Sequence, residues 1–227
     1  MMRGIFKWLG RPTHLASVLL ALVPFTYLIY FIQQHWLNVP RADSLRASSV
    51  VFKSAAGTLT PADVYGAYFG HITIPSYLLS LASLHWLDWN LKFEISINFA
   101  LATVTFVLLM FLVWRTSHEV FPYVLVPSAV LYFSVHQNLN WIIAYHGVWF
   151  QVQFFILVGA VCIISLPNRA VALGIALVAV AIATFTVGSG VVGWGVLLLG
   201  TKIGGQLICS GGKFRNENGT ALNAEGA

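Results

Sequence analysis

Long apolar runs alternate with short polar intervals along most of this sequence. A helix needs roughly 20 apolar residues to cross the hydrocarbon core of a bilayer, and the longest runs reach that length. The predicted spans are 15–32, 95–114, 120–135, a run that follows Gln153 and ends near Leu166, 170–187 and 191–208.

This pattern predicts an all-α fold, a polytopic transmembrane helical bundle of about six spans. Each backbone group left unsatisfied in lipid costs several kcal/mol, so each apolar run should cross as a helix. The bundle is expected to occupy residues 1–209. A disordered cytoplasmic tail is expected over 210–227, where Gly, Asn and Ala dominate and apolar side chains are few.

The polar interval 33–94 is expected to form an extracytoplasmic loop of short amphipathic helices after the first span. Thr60, Pro61 and Asp63 form a helix-start pattern, and the helix is predicted to end at about Gly70. A second helix after Pro75 is too short to span and is expected to lie in the headgroup region. Its 3.6-residue period places three serines on one stripe, namely Ser76, Ser80 and Ser83.

The charge pattern favours a membrane protein over a nucleic-acid-binding protein. Only 8% of the residues are charged, whereas a soluble domain has about 25%. The net charge of +5 comes from Lys and Arg at the ends of the apolar runs, as in cytoplasmic loops. We therefore expect membrane lipid as a partner, no nucleic acid, both termini cytoplasmic, and localisation in the inner (plasma) membrane. Merging the last two spans into a re-entrant hairpin is the second-ranked alternative.

No cofactor or metal site is predicted. Cys162 and Cys209 lie in apolar runs without metal-ligand or disulfide spacing. The sequence also has no phosphate-binding loop, zinc-protease motif or paired acids at metal-ligand spacing. The basic segment before residue 15 is expected to be an uncleaved signal anchor.

Asp43 is the strongest candidate for chemistry, because it follows the first span and is flanked by Arg41 and Arg46. A carboxylate here can take the proton of an acceptor hydroxyl while arginines bind a phosphate leaving group. The alternatives are that Asp43 caps a short helix beginning at Ser44, and that the two arginines rest on lipid headgroups.

The interval from His136 to Gln153 is polar and lacks Lys and Arg, so we expect it on the outer side. Polar side chains at this depth face a cavity or one another, and hydrogen bonding between helices is the alternative to a ligand site. His71, in the first loop, has an ordinary interfacial interpretation besides a functional one.

The arrangement resembles the N-terminal half of bacterial C-type glycosyltransferases, which transfer sugars from polyprenyl-phosphate donors on the outer membrane face. The matching stretches are Val39 to Asp43, Gly70 to Pro75, Trp89 to Leu91, Trp149 to Phe154, and Phe185 to Gly190 with Trp194. The resemblance implies a lipid-linked sugar donor, with Asp43 and His71 catalytic. The implied substrate contacts are Arg41, Arg46, His146, Gln151 and Gln153.

Members of that group often have Glu-His-Arg where this chain has Gly70, His71 and Ile72, and they have more spans. A truncated or inactive member would show these differences. The alternative hypothesis is a non-enzymatic multi-pass membrane protein, either a scaffold subunit or a small permease, with a polar path centred on the interval from His136 to Gln153.

Overall fold

The computed structural model describes residues 12–66 and 72–200, apart from the side chain of Arg46. Helix is the only regular secondary structure in these ranges, so the all-α prediction is confirmed there. In chain order the helices are α1 (Pro12–His35), α2 (Ser44–Ala55), α3 (Pro61–Tyr65), α4 (Ile74–Leu87), α5 (Leu91–Thr116), α6 (Phe121–Tyr132), α7 (Asn138–Ile142), α8 (Val148–Ser165), α9 (Arg169–Thr184) and α10 (Gly188–Gly200). Short 3₁₀ turns occupy Val135–Gln137, Ala144–Gly147 and the start of α10.

Three helices in the described ranges are long and apolar enough to cross a membrane: α1, α5 and the continuous segment Ala144–Ser165 that ends in α8. They contain the first, second and fourth predicted spans. The helices α6, α9 and α10 are apolar but shorter over the described residues. The six-span arrangement therefore stays a prediction.

The second long helix begins earlier than the sequence pattern indicated. Asn90 caps α5, its side chain accepting from the backbone N–H groups of Lys92 and Phe93, and Asn38 Oδ1 accepts from Leu91 N at 2.7 Å. These bonds satisfy N–H groups that have no partner within the helix. As a result Glu94, the last residue of the predicted loop, lies in the first turn of α5.

The predicted start of α3 is confirmed. Asp63 Oδ2 accepts hydrogen bonds from Thr60 N at 2.9 Å and Thr60 Oγ1 at 2.8 Å, and Lys53 forms an ion pair with the same carboxylate. The Lys53 bond, followed by the Thr60 bonds, lowers the pKa of Asp63 to about 2. The helix ends at Tyr65 rather than near Gly70, because Gly66 leaves helical geometry with a ψ of 130°.

The serine stripe of α4 is confirmed and is fully buried. Ser76 donates to Gln151 Oε1 at 2.9 Å, Ser80 donates to Glu94 Oε2 at 3.0 Å, and Ser83 donates to the Asn90 carbonyl at 3.2 Å. Leu78 and Trp86 lie exposed on other faces of α4. This loop helix is therefore attached to the bundle by hydrogen bonds along one stripe.

Apolar packing divides into two main groups. Helices α1, α5 and α6 share a core that includes Leu28, Ala102 and Ala129, none of which is accessible to solvent. Helices α8, α9 and α10 pack through small side chains, with Ala172 and Ala176 of α9 completely buried. Small residues let membrane helices approach closely, which is how such pairs gain packing energy without a hydrophobic driving force.

Gly190 provides the tightest approach in the second group. A Cβ atom at this position would overlap the backbone carbonyl of Ala183, whereas a Cβ at Gly195 of the same helix would meet nothing within 4 Å. We expect Gly190→Ala to destabilise the protein by about 1–3 kcal/mol, because a backbone carbonyl cannot move aside cheaply. Gly195→Ala is the matched control. Thermal unfolding in detergent micelles should show a lower Tm for Gly190→Ala alone; equal Tm values would contradict the packing of α10 on α9.

Candidate functional site

The candidate site is built on the 3₁₀ turn Ala144–Gly147, which joins the polar interval to α8. Tyr145 N donates to Ser44 Oγ at 3.3 Å, and the Tyr145 hydroxyl lies 2.7 Å from Thr73 Oγ1. Asn98 Nδ2 of α5 donates to the Ala144 carbonyl at 2.7 Å. Side chains from three distant parts of the chain therefore hold this turn.

Gly147 brings the turn directly against α5. A Cβ atom at Gly147 would overlap the carboxamide of Asn98, which is itself only 3% exposed. The absence of a side chain at Gly147 is what lets Asn98 reach the Ala144 carbonyl. His146 lies between Tyr145, whose N–H group bonds to Ser44, and Gly147, which packs against Asn98, so the backbone on both sides of His146 is held in place.

His146 bridges the turn and the loop after the first span. Its Nε2 lies 3.0 Å from Asp43 Oδ2, across a sequence separation of 103 residues, and its Nδ1 lies 3.2 Å from Asn140 Oδ1. Both ring nitrogens thus lie within hydrogen-bond distance of an oxygen atom. The structure therefore brings together two residues that the sequence suggested separately, Asp43 and His146.

Asp43 stands immediately before α2, as its alternative interpretation required, but its side chain makes no capping hydrogen bond. Ala42, with a φ of 50°, turns the chain sharply into the helix. A left-handed conformation costs an alanine roughly 1–2 kcal/mol, so this strain is offset by the surrounding contacts. The alternative interpretation, in which the Asp43 side chain caps α2, is therefore wrong. The carboxylate contacts His146 instead.

The pair lies at an accessible edge of the protein. The side chain of Asp43 is 46% exposed and that of His146 is 17% exposed. An external molecule can therefore reach the carboxylate, while the imidazole is held mainly by protein. This arrangement suits a proton acceptor whose orientation is set by a less mobile partner.

The other predicted site residues are more dispersed. Arg41 Nη2 donates to the carbonyl of His35, the last residue of α1, at 3.2 Å. This bond uses one of the five N–H donors of the guanidinium group. Gln151 is buried and accepts from Ser76, and Gln153 accepts from the Tyr132 hydroxyl at 3.3 Å. Both glutamines bond to other parts of the protein, as the interhelical alternative describes. His71 and the side chain of Arg46 lie outside the described residues, so their roles stay predictions.

Three polar residues of this region were not singled out as site residues from the sequence: Asn140, Asn98 and Glu94. Asn140 was only part of a polar cluster, while Asn98 lies within an apolar run. Glu94 could have been recognised from the sequence, because it is the one acidic residue in the three long apolar helices of the described ranges. Intramembrane acids are usually functional or paired.

Elsewhere, the described residues contain no group of three or more His, Cys, Asp or Glu side chains arranged to hold a metal ion. A groove with a volume of about 440 Å³ lies between α1, α5 and α6, with apolar walls that include Phe25, Met110 and Trp114. None of the predicted site residues lines this groove. Hydrocarbon chains suit its walls, whereas the polar chemistry lies at Asp43 and His146.

No protein-family model matches this chain, and neither the curated proteins nor the solved structures include a detectable relative. The resemblance to C-type glycosyltransferases therefore stays a prediction carried by the sequence motifs.

The contact between Gly147 and Asn98 gives a direct test of how the turn is positioned. We expect Gly147→Ala to destabilise the protein by about 1–3 kcal/mol, because the added methyl group overlaps the Asn98 carboxamide. In an Asn98→Ala background the overlap disappears, so the same glycine substitution should cost less. Unfolding of the four variants in detergent measures this coupling. Strictly additive costs would contradict the contact.

Proposed function

We propose that this chain is a membrane-embedded glycosyltransferase resembling the C-type enzymes, using a polyprenyl-phosphate sugar donor on the outer face. The observation that carries the proposal is the contact between Asp43 Oδ2 and His146 Nε2 at 3.0 Å, accessible from outside the protein. Neither residue is near the other in sequence. Their meeting at the expected outer edge of the bundle joins the candidate base, Asp43, to His146, which the resemblance implied only as a substrate contact.

In the proposed reaction, an acceptor hydroxyl oxygen attacks the anomeric carbon of the donor sugar. A new carbon–oxygen bond forms, the bond to the phosphate oxygen breaks, and polyprenyl phosphate leaves with the electron pair. Asp43 accepts the hydroxyl proton, and His146 orients the carboxylate through its Nε2 atom. Such general-base assistance contributes roughly 10²–10⁴-fold to a reaction rate.

Arginines near Asp43 are proposed to contact the donor phosphate. Arg41 is anchored at the His35 carbonyl by one N–H group, and a guanidinium has further donors for a planar, bidentate contact with phosphate oxygens. Arg46 lies in the first turn of α2, so its backbone is close to Asp43. His71 is proposed as a supporting polar group, and Gln151 and Gln153 are proposed as substrate contacts in addition to their bonds with Ser76 and Tyr132.

The proposed membrane arrangement has six spans, with α6, α9 and α10 completing the bundle and both termini in the cytoplasm. The loop after α1 then faces the outside of the inner membrane. Support comes from the Lys and Arg residues, which concentrate at the ends assigned to the cytoplasm. Surrounding lipid is the partner that this arrangement requires.

A second candidate function is a non-enzymatic scaffold subunit or small permease. It is favoured by the two glutamines, because Gln151 and Gln153 are both bonded to other protein side chains. Polar residues used in this way hold helices together rather than bind substrate.

Sugar transfer distinguishes the two functions. Membranes containing the full chain should incorporate labelled sugar from polyprenyl-phosphate donors, and Asp43→Asn should lower the rate by about 10²–10⁴-fold through loss of the base. Asp88→Asn, at an exposed acid beyond α4, is the matched control and should retain activity. Equal rates for Asp43→Asn and the parent would remove Asp43 from the mechanism. No transfer by the parent with any donor would favour the non-enzymatic function.

Orientation is tested by thiol labelling of intact cells. Single cysteines are placed at Ala56 and Glu119, both exposed, in a background where Cys162 and Cys209 are changed to serine. A membrane-impermeant reagent should label position 56 and leave 119 unlabelled until the membrane is opened, because basic flanks hold the other side in the cytoplasm. The reverse pattern would overturn the proposed outer-face site.

A further inference from the structure

Glu94 is a buried acid whose hydrogen bonding is incomplete. Its side chain is 3% exposed, and Ser80 Oγ donates to Oε2 at 3.0 Å, while Oε1 has no hydrogen-bond partner. One helical turn further along α5, Asn98 Oδ1 is also buried and without a partner. Residues four apart lie on the same face of a helix. Two unsatisfied acceptor oxygens therefore occupy neighbouring positions in the bundle interior, and the buried Nε1 atom of Trp89, which also has no hydrogen-bond partner, lies near the same carboxyl group.

The surrounding elements supply no opposite charge to this carboxyl group. On α5 itself, Lys92 is exposed and lies over the ring of Trp36. The titratable groups on the elements packed against α5 are His85 and Tyr77 of α4, Tyr123 and Tyr132 of α6, Cys162 of α8, and Tyr145 and His146 of the 3₁₀ turn. His85 is exposed, Tyr145 bonds to Thr73, and His146 bonds to Asp43. The ion pairs found among the described residues do not include Glu94.

An ionised carboxylate in such a place is strongly disfavoured, because burial removes its hydration and no cation replaces it. A proton removes the charge and turns one oxygen into a donor. The acceptor that this donor needs is available as Asn98 Oδ1. Calcium and magnesium ions prefer six or more oxygen ligands, and the two unsatisfied oxygens with Ser80 fall short of that number.

We propose that Glu94 and Asn98 form a buried proton-binding site, in which the neutral carboxyl group donates from Oε1 to the Asn98 carboxamide. The proton comes from water and returns to water when the site opens. Ser80 belongs to the loop helix α4, so the site joins that helix to α5. Raising the pH removes the proton and leaves a buried charge with Ser80 as its donor, so opening the contact between α4 and α5 to water becomes more favourable. The site is independent of sugar transfer.

Infrared spectroscopy of the purified full chain in lipid vesicles tests this proposal. At neutral pH the parent should show the carbonyl-stretch band of a protonated carboxyl group, and Glu94→Gln should lose it. Glu119→Gln, at an exposed acid, is the matched control and should keep the band. Asn98→Ala should shift its frequency, since the hydrogen bond that the acid donates is lost. If the spectra of the parent and of Glu94→Gln differ only in the bands of an ionised carboxylate, then Glu94 is charged at neutral pH and the proposal is overturned.

Two further measurements keep the test decisive. Ser80→Ala retains the carboxyl group and removes its hydroxyl donor, so a shifted acid band in this variant assigns the site even where Glu94→Gln fails to fold. Amide hydrogen exchange in α4 gives the second measurement: the ratio of the rate in the parent to the rate in Glu94→Gln at the same pH should increase as the pH rises. A carboxylate band that changes with added sodium at constant pH would contradict the proposal in favour of a metal cation.

Discussion

The structure of the candidate site depends on satisfying the backbone of one short turn. Ala144–Gly147 begins the apolar segment that continues into α8, and backbone polar groups there would be costly in a low-dielectric environment without partners. Asn98 and Ser44 provide hydrogen bonds, and the missing side chain at Gly147 lets α5 come close. Because the turn is held on several sides, His146 has little freedom, and its contact with Asp43 follows from this packing.

The same logic links the loop helices to the bundle. The buried serine stripe of α4 bonds to α5, α8 and the segment that caps α5, so a helix outside the long apolar segments is oriented by polar contacts. By contrast, α9 and α10 pack mainly through alanine and glycine, with one side-chain hydrogen bond between them, from Trp194 Nε1 to Thr184 Oγ1 at 3.0 Å. Polar contacts thus concentrate around the 3₁₀ turn and the loop helices, and the remainder of the bundle provides rigid support.

Much of the fold could be predicted from the sequence, because apolar runs, caps and the 3.6-residue period are local signals. The start of α3 at Pro61 and the serine stripe of α4 are examples. The site was harder to predict, since the pairing of Asp43 with His146 joins residues 103 positions apart and depends on how the turn packs against α5. The burial of Glu94 was also not predicted, because the predicted loop extends to this residue. In the structure α5 begins earlier, in part because Asn38, which is distant in sequence, accepts a hydrogen bond from Leu91 N.

The most direct test of the central claim is whether positions 43 and 146 meet in the membrane-embedded protein. Cysteines replacing Asp43 and His146, in a background without Cys162 and Cys209, are treated with a short thiol-to-thiol cross-linker in native membranes and analysed by mass spectrometry. The structure predicts an efficient link between 43 and 146, and none when the partner cysteine is moved from 43 to Ala56, beyond the end of α2. No link between 43 and 146, or equal linking in both pairs, would contradict the proposed site.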